Sequence, residues 1–549
     1  MATPVLFQTD QERIYREVKQ RERPLYATGL ITGLTTLALI VHGFHPFAED
    51  GGLYLAGVKR ILDPTLYANG PEFVLGHLRF SLFAPMVAWL VHTSGLQLET
   101  VLLALHLISI WTTLWAAWML AERCFHNLQE CTGAVTLLAV WLTLPIAGTS
   151  LMLMDPYVTA RSISTPLTVL ALVGALDFLR SAGNNSQWKW SSFAVVAIAL
   201  GAAGLEHPLM AAYGFACVLA LAVSIPDRRM TRMSVALGLG MAAIITSAIL
   251  QTTAQPERMA YKAVAMSRYY WFLSQWHWYE IAGAIAPMAI LGVVAWRERG
   301  DTDRSKLAQM GLAAGSVALI IAALFARVNS NTHLVARLQP MRVFQLIYVV
   351  MILFVGAKLA EWLEVRKLRW AAVFGSLCIV MFVAERETFP ASAHIEFAQE
   401  MVTPTNNWVQ AFEWIRKNTP KNAKFALDAD YITRPGEDAQ CFRAIAERSA
   451  LPDYSKDGGE AAITPALTDE WKAGQEAQAK LSERSDADRF ASLAPIGVDW
   501  IVLEKNAATS FACDYSNAAV KVCRLPNSNS ADGIRFSLKK QSKLQQAMP

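Results

Sequence analysis

Charge is scarce in this sequence: only 17% of its 549 residues are Asp, Glu, Lys or Arg, while 54% are hydrophobic. That balance points to a polytopic membrane protein with room for a soluble domain. A net charge of +4, with no basic tract and no RNA-binding motif, argues against nucleic acid as a partner. Cysteine is sparse too, seven in all, and none falls in a CxxC or mixed Cys/His metal spacing. Cys124, Cys131, Cys217 and Cys378 sit in or beside apolar runs as small fillers. Cys441, Cys513 and Cys523 lie near the C-terminus, where a disulfide requires that segment to be outside the cytosol. Whether Cys513 and Cys523 pair stays open at this point. No P-loop, GxSxG, HExxH or GxGxxG motif stands in context, which leaves ATPase, serine hydrolase, zincin and Rossmann readings without support. Neither an internal repeat nor a low-complexity tract is present.

What is present is a succession of apolar runs, over 25–44, 80–91, 98–121, 133–149, 163–179, 191–205, 209–225, 233–250, 281–296, 307–326, 343–359 and 370–383. Cytoplasmic loops carry the excess of Lys and Arg. Placing the basic connections 180–189, 227–232, 297–306 and 366–369 inside puts 155–161, 206–208, 251–280, 327–342 and the C-terminal region outside. The basic stretch Arg13 to Arg23 reads as the cytoplasmic flank of an uncleaved anchor. Parity then requires one early run not to cross. Run 80–91 is the shortest and reads as re-entrant or interfacial, which leaves about 11 spans. The chain divides into a cytoplasmic segment 1–24, a transmembrane domain 25–385 with first outer loop 45–79, and an outer soluble domain 386–549. In that domain Trp408, Phe412 and Ile415 mark a helix face ending at Asn418-Thr419-Pro420. Short strands over 424–427, 500–503 and 520–525 make it a small α/β unit, and the polar tail 527–549 reads as frayed.

The stretch His45-Pro46-Phe47-Ala48-Glu49-Asp50-Gly51-Gly52-Leu53-Tyr54 follows the first apolar run directly. A carboxylate pair at a membrane exit is costly to place without a purpose. Beyond it Tyr54, Val58, Ile61 and Leu62 recur at helical spacing, with Lys59, Arg60 and Asp63 opposite, and Pro64 ends the pattern. The expectation is an amphipathic helix in the interface plane, a ledge with Glu49 and Asp50 at its entrance.

A first span, an acidic residue at its outer end, a surface helix and then many spans resemble the GT-C superfamily of integral-membrane glycosyltransferases. The stretch Trp414-Ile415-Arg416-Lys417-Asn418-Thr419-Pro420 is also similar to one in outer domains of GT-C-like proteins. The resemblance implies a sugar donor on polyprenyl phosphate or diphosphate, at the outer face of a bacterial-type inner membrane, and a catalytic acidic residue in the first outer loop. Matched by position that residue is Asp50 or Glu49. The protein-mannosyltransferase branch usually shows Asp-Glu, whereas this chain has Glu-Asp. Asp50 is the expected general base because Gly51-Gly52 leave room for substrate beside it. Asp155 loosely matches a later acidic position of the family, able to hold a metal or orient the acceptor. Its plainer alternative is a helix cap with Arg161 as partner.

Asp50, Asp155, Arg161, Glu206 and His207 all fall at outer ends of apolar runs, as one outward polar cavity would require or as headgroup-solvated residues would. Glu206-His207-Pro208 reads first as a helix break. The stretch 327–342 holds Arg327, His333, Arg337 and Arg342 and no carboxylate. Guanidinium groups grip phosphate bidentately, so Arg337 and Arg342 are candidates for a lipid-phosphate head, with general headgroup contact as the alternative. Arg268, Tyr269 and Trp276 stand among aromatics suited to stacking on a sugar, or to an interfacial belt. The expected function is sugar transfer to an acceptor the sequence does not name, by an inverting displacement, with no cofactor required and a divalent metal left open. The alternatives are a transporter or flippase of a lipid-linked anion, and a silent scaffold presenting the soluble domain.

Overall fold

The computed structural model describes residues 5–526 apart from 126, 184–188, 227, 299–301, 398–403, 435 and 437. The tail 527–549 lies outside the described residues. Among the described residues, eight helices are long and apolar enough to cross a membrane, within 23–42, 98–124, 160–181, 229–253, 278–297, 303–325, 334–363 and 367–388. Three shorter apolar helices, Leu128–Val140, Trp190–Glu206 and Pro208–Ala222, accompany them. Leu, Ala, Val and Ile fill these segments on every face, the composition of helices buried in a bundle or facing lipid.

One sequence expectation changes form, and a second keeps it with shifted bounds. The run 133–149 does not continue as one helix: the helix stops at Val140, and Pro145–Ile146 (β1) pairs antiparallel with Leu151–Met152 (β2). Proline at 145 cannot donate to a helical ladder, and Gly148 turns the hairpin with φ 64°. The run 80–91 becomes the helix Phe83–Ser94, which packs on the ledge helix and on the start of Leu98–Cys124.

The ledge is a helix, Glu49–Leu62, and Asp63 leaves it in an extended conformation before Pro64, as the steric clash of a pre-proline residue demands. Its amphipathic faces are not those the spacing predicts. Lys59 is buried and donates to Glu447 at 2.7 Å, while Ile61 and Leu62 are exposed. The ledge is covered by the C-terminal domain, so its "polar" side faces protein.

In that domain the helix Asn407–Asn418 buries Trp408, Phe412 and Ile415, and Asn406 caps it by accepting from the Trp408 N–H at 2.8 Å. A five-stranded sheet runs in the order β4 (Ser449–Ala450), β3 (Lys424–Ala426), β5 (Trp500–Glu504), β7 (Val520–Arg524), β6 (Cys513–Ser516). The first two pairings are parallel and the last two antiparallel. A disulfide joins Cys513 and Cys523 across β6 and β7. Phe412, Phe425, Trp500 and Val522 share one apolar core with Phe44, Phe83, Val87 and Leu102. The domain is therefore welded to the bundle end where the ledge lies.

The opposite end of the bundle gathers the basic connections. Arg123 makes two bonds to Asp177 at 2.8 and 2.6 Å, Arg180 meets Asp303 at 2.5 Å, and Arg304 bridges Glu130 at 2.9 Å and Glu298 at 3.4 Å.

Candidate functional site

The acidic loop is fastened from three directions before its carboxylates are reached. Phe44 N–H donates to His394 O at 3.0 Å, His45 N–H to Pro156 O at 2.8 Å, and Cys441 N–H to Phe47 O at 3.1 Å. Gly51 and Gly52 serve this fastening rather than substrate approach. A Cβ on Gly51 would stand 3.0 Å from the Tyr157 side chain, and one on Gly52 would stand 2.2 Å from Cys441 Cβ. The room left by the missing side chains is filled by protein. Glu49 sits in the left-handed region with φ 49°, a conformation a non-glycine residue holds only when its surroundings dictate it.

Lys456, the first residue of the helix Lys456–Ile463, reaches from the C-terminal domain to both carboxylates. Its Nζ contacts Glu49 and lies 3.2 Å from Asp50 Oδ1. Arg268 holds the loop that presents it, donating to the carbonyls of Tyr454 at 2.8 Å and Ser455 at 2.6 Å. Arg268 is thus committed to backbone of the C-terminal domain. On the other side of Asp50, Arg161 lies 4.0 Å from Oδ2 and donates to Asp155 at 2.5 Å, with its Nε buried and unpartnered. Asp155 therefore has the arginine partner expected of it, but the following helix starts only at Ala160, too far on to be capped by it.

Electrostatics separates the two aspartates. Burial opposes the charge of Asp50, yet Lys456 and Arg161, with Arg342 adding, outweigh it and hold its carboxyl well below the ordinary range. Its side chain is about a third exposed. Asp155 is 5% exposed, and burial pushes its carboxyl up despite Arg161. Lys456 shows the converse balance: burial disfavours its charge, but Asp50 and Glu49 raise it above the ordinary lysine range.

Arg342 belongs to the same cluster, whereas Arg337 does not. Gln339 takes φ 50° and a 3₁₀ turn, Pro340–Val343, follows, which sends the two arginines apart. Arg342 lies over the Tyr270 ring at 5.8 Å and acts on Asp50 and Tyr54 by charge. Its Nε is buried without a partner, and among the described residues it makes no ion pair. Arg337 stands against Tyr261, whose hydroxyl donates to Ala462 O at 2.7 Å. His333, in the same connection, meets Glu257 at 2.7 Å.

Among the remaining candidates, His207 caps the helix Pro208–Ala222 by accepting from the Met210 N–H at 3.4 Å. Trp276 is buried against Gly148, and Tyr269 is exposed. Neither stands in the Asp50 cluster. Lys456 escaped the sequence reading because a lone lysine in a soluble segment carries no signal; only its distant contact gives it a role. Among the described residues no three His, Cys, Asp or Glu side chains gather as a metal site. The sequence matches no protein-family model, and no curated protein matches it.

Proposed function

We propose that the chain is a membrane glycosyltransferase moving a sugar from a polyprenyl-phosphate donor to an acceptor at the outer face of an inner membrane. The observation that carries this reading is Arg342, a half-buried guanidinium that makes no ion pair among the described residues and whose charge acts on the ionised carboxylate of Asp50. A guanidinium with a buried Nε and no contact partner offers hydrogen bonds that an anionic ligand such as a phosphate can complete. A lipid phosphate against Arg342, with Arg161 behind it, would place the anomeric carbon toward Asp50.

In the reaction, Asp50 takes the proton of the acceptor hydroxyl as its oxygen bonds to the anomeric carbon. The bond from that carbon to the phosphate oxygen breaks, and its electron pair leaves on the phosphate, whose growing charge Arg342 stabilises. The products are the glycosylated acceptor and polyprenyl phosphate. Lys456 and Arg161 keep Asp50 in the ionised form a base needs, at some loss of basicity.

Eleven crossings would result if the eight long and three shorter apolar helices all span and Phe83–Ser94 lies aside; the contact of Lys456 with Asp50 supports a C-terminal domain on the same side as the acidic loop. The disulfide Cys513–Cys523 supports an oxidising compartment for that side. The test is to incubate the purified chain in nanodiscs with a panel of labelled polyprenyl-phosphate sugars. Transfer or donor hydrolysis is the expected result. Binding without any chemistry, together with movement of the lipid across vesicles, would favour a flippase.

A further inference from the structure

The connection between the long apolar helices Arg229–Thr253 and Trp278–Arg297 carries a short helix of its own, Met259–Met266. One face of this helix is committed to the C-terminal domain. Tyr261, Val264 and Ala265 are buried in a core shared with Ala461, Ala462 and Trp471. The Tyr261 hydroxyl donates to Ala462 O at 2.7 Å, and Arg258, at the helix entrance, donates to Asp469 at 3.0 Å. Just past the helix, Arg268 donates to the Tyr454 and Ser455 carbonyls, at the foot of the helix Lys456–Ile463.

The opposite face is apolar too, and it is bare. Met259, Ala263 and Met266 recur at the spacing of one helical stripe, and all three are exposed, Met259 by 78% and Met266 by 44%. A side turned to water would carry polar residues instead. The tether decides what lies there. The connection leaves one helix long and apolar enough to cross a bilayer at Thr253 and enters the next at Trp278. Only the segment 254–258 separates the short helix from the first of them, so its stripe cannot stand far from the bilayer surface. Tyr269, Trp278 and Tyr279 extend the exposed surface with the aromatic types that settle at a lipid–water boundary. Lys262 borders the stripe, with a stem long enough to carry its charge to headgroup phosphates.

We infer that the stripe of Met259, Ala263 and Met266 docks into the headgroup–acyl boundary of the phospholipid leaflet, and that this contact holds the C-terminal domain against the membrane. The helix is a two-sided wedge, with lipid on one face and the domain on the other. Through Tyr261 and Arg268 it supports the helix that begins with Lys456, so the bilayer surface helps to set where that lysine stands over Glu49 and Asp50. No transfer chemistry is needed for this docking.

The test is photo-cross-linking of the full chain in nanodiscs of phosphatidylethanolamine and phosphatidylglycerol. p-Benzoylphenylalanine replaces Met259 or Met266, and the adducts are read by mass spectrometry. Phospholipid adducts are expected at both positions, and none when Lys480, an exposed residue of the C-terminal domain, is replaced in the same way. The hold on the domain is read by hydrogen exchange over 456–463. Met259→Glu combined with Met266→Glu should speed that exchange several-fold, because carboxylates are not drawn into the apolar boundary. Met259→Leu combined with Met266→Leu should leave it as in the native chain, since leucine keeps the apolar stripe. Lipid adducts absent at 259 and 266 or as frequent at 480, adducts to a second copy of the chain instead, or unchanged exchange in the glutamate pair would each overturn the inference.

Discussion

The two ends of the helical bundle treat charge in opposite ways. At the end of Arg123, Asp177, Arg180, Asp303, Arg304 and Glu130, guanidinium and carboxylate are matched at contact distance, and no buried side-chain atom of these residues lacks a partner. At the end facing the C-terminal domain, Arg161 and Arg342 Nε, Gln339, Gln345 and Gln440 Oε1 and Glu206 Oε2 are buried without partners. Folding alone selects satisfied polar groups. A cluster of unsatisfied ones is where a ligand should be looked for, and the matched end is the control for it. Among the described residues, the same residue types are thus fully paired at one end, while at the other contact pairs such as Arg161–Asp155 stand among buried atoms without partners.

Several substitutions can break or sharpen that contrast. The largest effect is expected from Asp50→Asn, which keeps size and much of the hydrogen bonding but cannot accept a proton. Transfer should fall roughly 10²–10⁴-fold with thermal stability nearly unchanged. Glu49→Gln is the paired variant and should be far milder. Next, Arg342→Ala should weaken polyprenyl-phosphate binding about tenfold or more, and Arg342→Lys should restore only part of it, because lysine keeps the charge but lacks the planar fork. Donor affinity unchanged in Arg342→Ala would assign this arginine to general headgroup contact. Arg304→Ala, at the matched end, should do the reverse: a loss of about 1–3 kcal/mol in stability, read by thermal unfolding, with transfer by the folded fraction preserved. Transfer lost there without loss of stability would dissolve the contrast.

Smaller effects follow from titration. With Lys456→Met the main cation that opposes burial at Asp50 is gone, so its carboxyl rises and the acid limb of the pH–rate profile moves toward neutral. An unmoved limb would separate Lys456 from the chemistry. In the C-terminal domain, burial pushes the Asp438 carboxyl up to about 6; the Ser392 N–H and His45 pull it down, and Glu396 adds to the rise. The stability this group contributes is present below the ordinary aspartate range and is lost as pH rises through about 6. Its negative charge appears over the same interval. Asp438→Asn should flatten the pH dependence of stability across this interval, read by thermal unfolding at pH values on either side of about 6.

Much of the scaffold was legible in the sequence because it is local. Apolar runs marked most of the long helices, Trp408, Phe412 and Ile415 marked a buried helix face, and Asp63-Pro64 marked the end of the ledge. The hairpin β1–β2 was hidden because apolar composition continues unbroken through Pro145. Of the site, Glu49, Asp50, Asp155, Arg161 and Arg342 were legible as rare charges at the ends of apolar runs. Lys456 was not, nor was the burial of Lys59, since both depend on contacts far away in sequence, with Glu49 and with Glu447. Gly51 and Gly52 pointed to close approach correctly, but not to what approaches: Tyr157 and Cys441 take the space. Arg337 and Arg342 looked equivalent, and only the left-handed turn at Gln339 divides them.

A lipid phosphate held between Arg342 and the cations beside Asp50 would be seen directly in a cryo-EM structure of the full chain in nanodiscs with bound polyprenyl phosphate. Phosphate density is expected against the guanidinium of Arg342, with Arg161 in the next layer and Asp50 facing the side the sugar would occupy. Phosphate found among the lipid headgroups, with Arg342 still unpaired over Tyr270, would contradict it.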